Sequence, residues 1–399
     1  MKGLDNSRKI NFGIKLKSKG FNRLVKYLFN RLPDFPKQKT YKNRLRQCMR
    51  IVLINLIDMA SFSDGFVSYS RNTHSPEYKL VNYSAENISK IVNFLENNRL
   101  IENRLGYFCQ DRDRCRMSRM RATKELINLF NEHEVNQVEI SEDKKTNLII
   151  LRNELKQPIP FQDTDFTISA TANLKRINDL LSAHTIEIGT GYKIHRKILH
   201  RVFNFDFEHG GRLVGSDWQR LCSKERQLIK IDSGPVIELD FKSLHPTMLY
   251  SLKGFQLEGD AYKLEGYSSK IRNFLKTIML IRINTRSDEH AVRAIQGLIN
   301  QKKIEKPSCT YNLKDLVEAF MKKHNTIREL FDSDTGLKLQ RLESDICEEV
   351  LIDFYVKDIP VLSVHDSFII GKEYESDLSQ SMERAFYNKF SKKCDISKK

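Results

Sequence analysis

No apolar run in these 399 residues approaches the length that spans a bilayer, and the N-terminus lacks the pattern of a secretory leader. The expectation is therefore a cytoplasmic protein. The seven cysteines, at positions 48, 109, 115, 222, 309, 347 and 394, show no close-paired zinc spacing and no even framework of disulfides. Cys109 and Cys115, which flank an arginine-rich turn, come nearest to a metal pair, and reduced thiols are the preferred reading even there. Internal repeats and low-complexity tracts are absent as well, so solenoid and fibrous architectures are excluded. At this length, with 40% hydrophobic residues, two or three domains with ordinary cores are expected.

Acidic residues are scarce at one end of the chain. Residues 1–50 hold fifteen Lys or Arg against Asp5 and Asp34, so +13 of the formal net charge of +16 lies there. A solvated, solubilising arm is one reading of residues 1–41. A block this dense more often meets a polyanion, and nucleic acid is the natural partner.

Beyond the arm, residues 42–135 have the order of a winged helix-turn-helix. An apolar helix runs from Tyr41 into Met59. Ser84 then caps a second helix, whose Ile88, Ile91, Val92 and Leu95 recur at i, i+3, i+4 and i+7. Arg99 to Phe108 reads as strand, turn and strand, and Ser118 to Lys124 leads into a closing helix. Such a module contacts DNA or RNA in some proteins and is a structural adaptor in others. Residues 136–165, polar and containing Pro158 and Pro160, suit a linker, and residues 166–399 mix helices and strands as an α+β domain with a helical insertion at about 255–335. Within it, Tyr192 to Asn204 is basic with interleaved aromatics, a pattern for phosphate contact and base stacking, although Ile194, Ile198 and Leu199 equally make the core face of a helix.

The chemistry is concentrated in two short apolar strands that each end in an aspartate. Val236-Ile-Glu-Leu-Asp240 is one, and Val361-Leu-Ser-Val-His-Asp366 is the other. A carboxylate beside an apolar run is costly to desolvate unless it is paired or holds a cation. Two of them on neighbouring strands form the minimum site for two divalent ions, the arrangement that drives in-line phosphoryl transfer. Strand period places Glu238 on the face of Asp240, which leaves open a third ligand or a solvated partner for a nearby cation. Between the strands, Arg272 and Lys276 stand one helical turn apart, suited to gripping a triphosphate, while an ordinary solvated face is the alternative.

The order of these features resembles family A polymerases, the group of bacterial DNA polymerase I and the single-subunit RNA polymerases. Gly211-Arg212-Leu213 with Ser216, Trp218-Gln219 and Leu221 is similar to the family's primer-template motif. The Asp240 strand resembles motif A, Arg272-x-x-x-Lys276 resembles the motif B fingers helix, Leu339-Gln340 opens a helix like the one before motif C, and His365-Asp366-Ser367-Phe368 resembles motif C in its RNA polymerase spelling. The resemblance covers residues about 200–372, a little under half the chain. It implies a right-hand palm with reduced helical fingers, since only 126 residues separate Asp240 from Asp366. Leu280, Asn284 and Thr285 stand where motif B carries an aromatic and a Tyr-Gly, and no acidic pattern of a proofreading exonuclease precedes the palm.

What the resemblance implies for the site follows residue by residue. Asp240, Asp366 and the Phe241 carbonyl would hold Mg²⁺, with Mn²⁺ as a substitute; Arg272 and Lys276 would bind the triphosphate of a dNTP. Arg212, Gln340, His365, Trp218 and Gln219 would touch primer-template DNA, or RNA in its place. His245, five residues after Asp240, stands where DNA polymerases carry a bulky residue that crowds a ribose 2′-hydroxyl, although a helix cap before Pro246 is its alternative role. The function expected is DNA polymerase activity from a minimal, divergent enzyme of bacterial, phage or mobile-element setting. An RNA polymerase or primase of the same fold, a two-metal nuclease and a non-catalytic replication initiator are the alternatives.

Overall fold

The computed structural model describes residues 7–399 except 34–37, 63–64, 74–77, 79–82, 108–115, 136–139, 143–146, 190–191, 195, 286, 302, 305–311 and 332–334. Cys109, Cys115 and Cys309 thus lie outside the described residues, as does Phe108 at the end of the expected wing. Among the described residues no helix is long and apolar enough to cross a membrane. The chain divides into two compact units, Met1–Thr146 with Thr190–Arg196, and Asn147–Gly189 with Lys197–Lys399.

In the first unit, strands β1 (Arg8–Lys9), β3 (Val67–Tyr69), β4 (Ile101–Arg104) and β5 (Ser118–Ala122) form a sheet in the order β1-β3-β5-β4, and β2 (Ile14–Leu16) pairs with β6 (Ile140–Glu142). Helices α1 (Lys19–Phe29), α2 (Lys39–Phe62), α3 (Ala85–Asn97) and α4 (Lys124–Glu132) complete it. Ser84 Oγ accepts the Asn87 N–H at 3.1 Å and starts α3. The apolar stripe Ile88, Ile91, Val92 and Leu95 is buried, as helical period requires. β4 and β5 pair antiparallel from Ile101↔Ala122 to Arg104↔Arg119, so the partner of the first strand is Ser118–Ala122 and not a second strand before Phe108 as expected.

Two expected boundaries move. Residues 1–41 are not a separate arm, because β1, β2 and α1 lie within them and Phe21, Leu24, Val25, Leu28 and Phe29 are buried in the core of this unit. Ile14, Leu16 and Ser18 turn inward while Lys15, Lys17 and Lys19 stand exposed, so the charge decorates a folded layer. The expected linker, 136–165, also changes character. Its second half supplies β7 (Ile149–Arg152) and β8 (Pro158–Ile159), and Pro158 is accommodated because β8 is an edge strand with no ladder to continue.

The second unit is α+β. β8 and β7 continue into β10 (His200–Asn204) and β11 (Gly210–Val214) in the order β11-β10-β7-β8, so His200–Asn204 is strand and the helical alternative for that segment fails. The central sheet runs β9 (Ile186–Ile188), β12 (Ile229–Ile231), β13 (Gly234–Phe241), β15 (Ser367–Gly371) and β14 (Leu362–Val364), with every neighbour antiparallel. β16 (Ile396–Lys398) pairs with β13 over Leu239 to Phe241, so Asp240 faces Ser367 on one side and Ser397 on the other. The helices are α5 (Asp165–Ala183), α6 (Leu244–Leu252), α7 (Arg272–Arg282), α8 (Asp288–Asn300), α9 (Leu313–Lys323), α10 (Thr335–Tyr355) and α11 (Glu375–Phe390), of which α7, α8 and α9 form the expected insertion.

One buried cation fixes α10 against the β10–β11 hairpin. Arg201 is fully buried; its Nε donates to the Gly211 carbonyl at 3.0 Å, Nη2 meets Asp345 Oδ1 at 2.6 Å and Nη1 is paired with Glu348. A guanidinium taken out of water is tolerable only with such partners, and removing one would strand the charge.

Candidate active site

Antiparallel register is what brings the two aspartates together. Asp240 lies opposite Ser367, and the Phe241 N–H donates to the Asp366 carbonyl at 3.3 Å. The backbone is strained on either side of the pair: Ser243, just after Asp240 in the chain, has φ 50°, and His365, just before Asp366, has φ 58°. Burial pushes the Asp240 carboxyl up to about 6, and the charge of Asp366 adds to that rise. Asp240 Oδ1 is buried without a hydrogen-bond partner, while Oδ2 lies 3.0 Å from Lys399 Nζ. An orphaned carboxylate oxygen beside a second carboxylate is the donor chemistry that a hard divalent cation takes. Phe241 itself is a core residue, its ring 6.1 Å from that of Phe386.

Glu238 shares the face of Asp240 but is already committed. Arg226 grips it with two bonds, Nε to Oε2 at 2.8 Å and Nη2 to Oε1 at 3.0 Å, and the Ser367 hydroxyl donates to Oε1 at 2.7 Å. Burial raises this carboxyl, and those bonds outweigh burial and hold it below its usual range. The partner anticipated as a lysine is chiefly an arginine. Among the described residues no group of three or more His, Cys, Asp or Glu side chains is arranged to hold a metal.

The two cations of α7 are unequal. Arg272 is tied to Asp260 through Nε–Oδ2 at 2.6 Å and Nη2–Oδ1 at 3.1 Å, whereas Lys276 is exposed and makes no ion pair with the described residues. Both stand over the Tyr262 ring, at 5.3 and 5.5 Å from its centroid. Burial pushes the Tyr262 hydroxyl up to about 12, with a Ser243 hydrogen bond lowering it and the charges of Asp260 and Asp366 adding to the rise.

A second cluster surrounds Glu343 on α10. Its Oε2 accepts from Arg212 Nη2 and from His245 Nε2, each at 2.9 Å, and these contacts hold a carboxyl that burial alone would raise below its usual range. His245 thus bonds across the fold, and the Ser243 side chain makes no cap bond at the start of α6 either. Gln340, on the same helix, is half-buried and its amide makes no hydrogen bond to the described residues. Arg212, Glu343, Ser344, Ser363 and His365 line one small cavity.

Trp218 and Gln219 are placed differently from expectation. Trp218 is fully buried with Nε1 donating to the Ser363 carbonyl at 3.0 Å, so it offers no surface to nucleic acid. Gln219 spends its amide on the backbone, bonding the Leu213 carbonyl at 2.9 Å, the Ser363 carbonyl at 3.2 Å and the Gly215 N–H at 2.9 Å. Both brace the strand that leads to Asp366. Sequence reasoning missed Arg226, Tyr262, Glu343 and Lys399, and none of these carries a local pattern that would have set it apart.

No protein-family model matches the chain, and no curated protein matches it by sequence. Among solved structures, it is similar to the POL domain of Pol1 from M. smegmatis in complex with DNA primer-template and dNTP, at 12% identity and a TM-score of 0.37. That alignment covers 97% of this chain and 66% of the other.

Proposed function

We propose that the second unit is a template-directed nucleotidyltransferase, a divergent polymerase of the family A type that extends DNA with dNTPs. The observation that carries the reading is that Asp240, on β13, meets Asp366, in the turn between β14 and β15, with a buried oxygen of Asp240 left without a partner. Asp240 and Asp366, with the Phe241 carbonyl, would hold the divalent ions, Mg²⁺ first and Mn²⁺ as a substitute. Bound there, such ions supply Lewis acidity to the attacking 3′-hydroxyl and to the departing pyrophosphate.

The chain's own residues do the remaining work. Lys276, free of an acidic partner among the described residues, meets the triphosphate, while Arg272 reaches it only by leaving Asp260. Arg212, Gln340 and His365 face the primer-template, and His245, held by Glu343, stands beside the incoming sugar. The basic, folded first unit adds affinity for nucleic-acid phosphates. An RNA polymerase or primase is the second reading, favoured by the motif C spelling His365-Asp366-Ser367-Phe368.

The test is extension of labelled primers on DNA and RNA templates with Mg²⁺ or Mn²⁺, with dNTPs or NTPs, and with unprimed templates alongside. Incorporation that disappears in Asp366→Ala while nucleic-acid binding persists is the expected result. No incorporation under any of these conditions, or full activity in Asp366→Ala, would refute the assignment.

A further inference from the structure

β16 brings a cation to the carboxylates that no motif announces. The Lys399 N–H donates to the Glu238 carbonyl at 3.0 Å, which carries the ladder one residue past β16 and fixes where the next side chain departs. Its ammonium lies 3.0 Å from Asp240 Oδ2 and 3.7 Å from Glu238 Oε1. Lys398 pairs elsewhere, with Glu375 at 2.9 Å, because successive side chains of a strand take opposite faces. The strand is held along its length: the Lys242 N–H donates to the Asp395 carbonyl at 2.7 Å, and Ser397 Oγ meets the Asp240 carbonyl at 3.4 Å. Glu238 has Arg226 for neutralisation, but among the described residues Lys399 is the one cation paired with Asp240.

A divalent ion taken by the orphaned Oδ1 would share one carboxylate with the Lys399 ammonium on Oδ2, and the two cations would repel each other across it. Without either, Asp240 and Asp366 are left facing one another with uncompensated charge. We propose that Lys399 is a displaceable counter-ion of the metal-binding carboxylates. It balances Asp240 when no divalent ion is bound and gives way when one arrives, so it raises the ion concentration at which the site fills. The proposal rests on the reading of Asp240 and Asp366 as metal ligands.

Mn²⁺ binding to the full chain, followed by electron paramagnetic resonance of the free ion at pH 8, tests both. Lys399→Met removes the charge, and Lys399→Arg keeps it. Lys399→Met is expected to bind Mn²⁺ about three- to fivefold more tightly than wild type, the range set by a partly exposed ion pair, and Lys399→Arg to bind as wild type does. Unchanged or weaker binding in Lys399→Met overturns the counter-ion role. Wild type lacking any Mn²⁺ binding that Asp240→Asn abolishes overturns the metal-ligand reading itself; binding lost in Asp240→Asn but indifferent to position 399 overturns the Lys399 proposal alone.

Discussion

Neutralising Asp240 should make the protein more stable while destroying the chemistry assigned to it. The carboxyl titrates at about 6 in place of 3.8, driven by burial first and by Asp366 second. At about 1.4 kcal/mol for each tenfold change in proton affinity, the ionised group costs the fold at most about 3 kcal/mol at pH 8. With 19% of the side chain exposed, solvent reduces this to about 1–2 kcal/mol. The sign follows from proton binding. Between pH about 4 and about 6 the folded state holds the proton more tightly than the unfolded chain, so stability falls as pH rises through that window and stays low above it.

Asp240→Asn removes the titration and should raise the melting temperature at pH 8 in EDTA by about 3–6 °C, with little gain at pH 4, where wild type is already neutral at this position. Mg²⁺ should stabilise wild type and leave the variant unmoved. Thermal melts by circular dichroism at pH 4 to 8, with EDTA or Mg²⁺, measure all of this. A variant that melts at or below wild type at pH 8 in EDTA would show that Asp240 is not a strained carboxylate awaiting a cation.

Other perturbations separate the assigned roles. Lys276→Ala should raise KM for nucleotide and lower kcat together by roughly ten- to a hundredfold, whereas Arg212→Ala should chiefly raise KM for primer-template; steady-state kinetics with identical defects in the two would contradict the division. His245→Gly should admit NTPs as well as dNTPs, read as the ratio of kcat/KM values. A ratio that stays constant while the melting temperature drops would reduce His245 to a prop for Glu343. Replacing Lys15, Lys17 and Lys19 together by Gln should lower the slope of log affinity for duplex DNA against log salt by about 2–3, because each lost phosphate contact removes nearly one counterion; an unaltered slope would send that face to another partner.

Much of the site was legible because its elements are local. The apolar runs before Asp240 and Asp366 became β13 and β14, and Arg272 and Lys276 came to lie one turn apart on α7. What escaped depends on contacts far apart in the chain. Glu343 is one acid among several on α10, and it matters only because Arg212 and His245, 131 and 98 residues away, converge on one oxygen. Trp218 read as a nucleic-acid contact because an aromatic beside Gln suits that role, yet the loop closes over Ser363 and buries it. The lysine-rich start concealed Ile14 and Leu16, whose alternation was the real signal. In 136–165 three very short strands, one opened by proline, gave no periodicity to read.

The Ser363 carbonyl receives both Trp218 Nε1 and Gln219 Nε2, and it lies two residues before the left-handed turn at His365. That double clamp welds the loop at 215–221 to β14, so the two shift as a single solid piece. Arg201 does likewise for α10 and the β10–β11 hairpin. On α7, Arg272 ties the helix to the Asp260 carboxylate, and on α9 Lys323 donates to the Asp260 carbonyl, so these two helices of the insertion are anchored on one residue. Lys276 thus rises from a helix whose opposite face, Phe274, Leu275, Ile278 and Met279, is buried, so its ammonium is offered from a firm base.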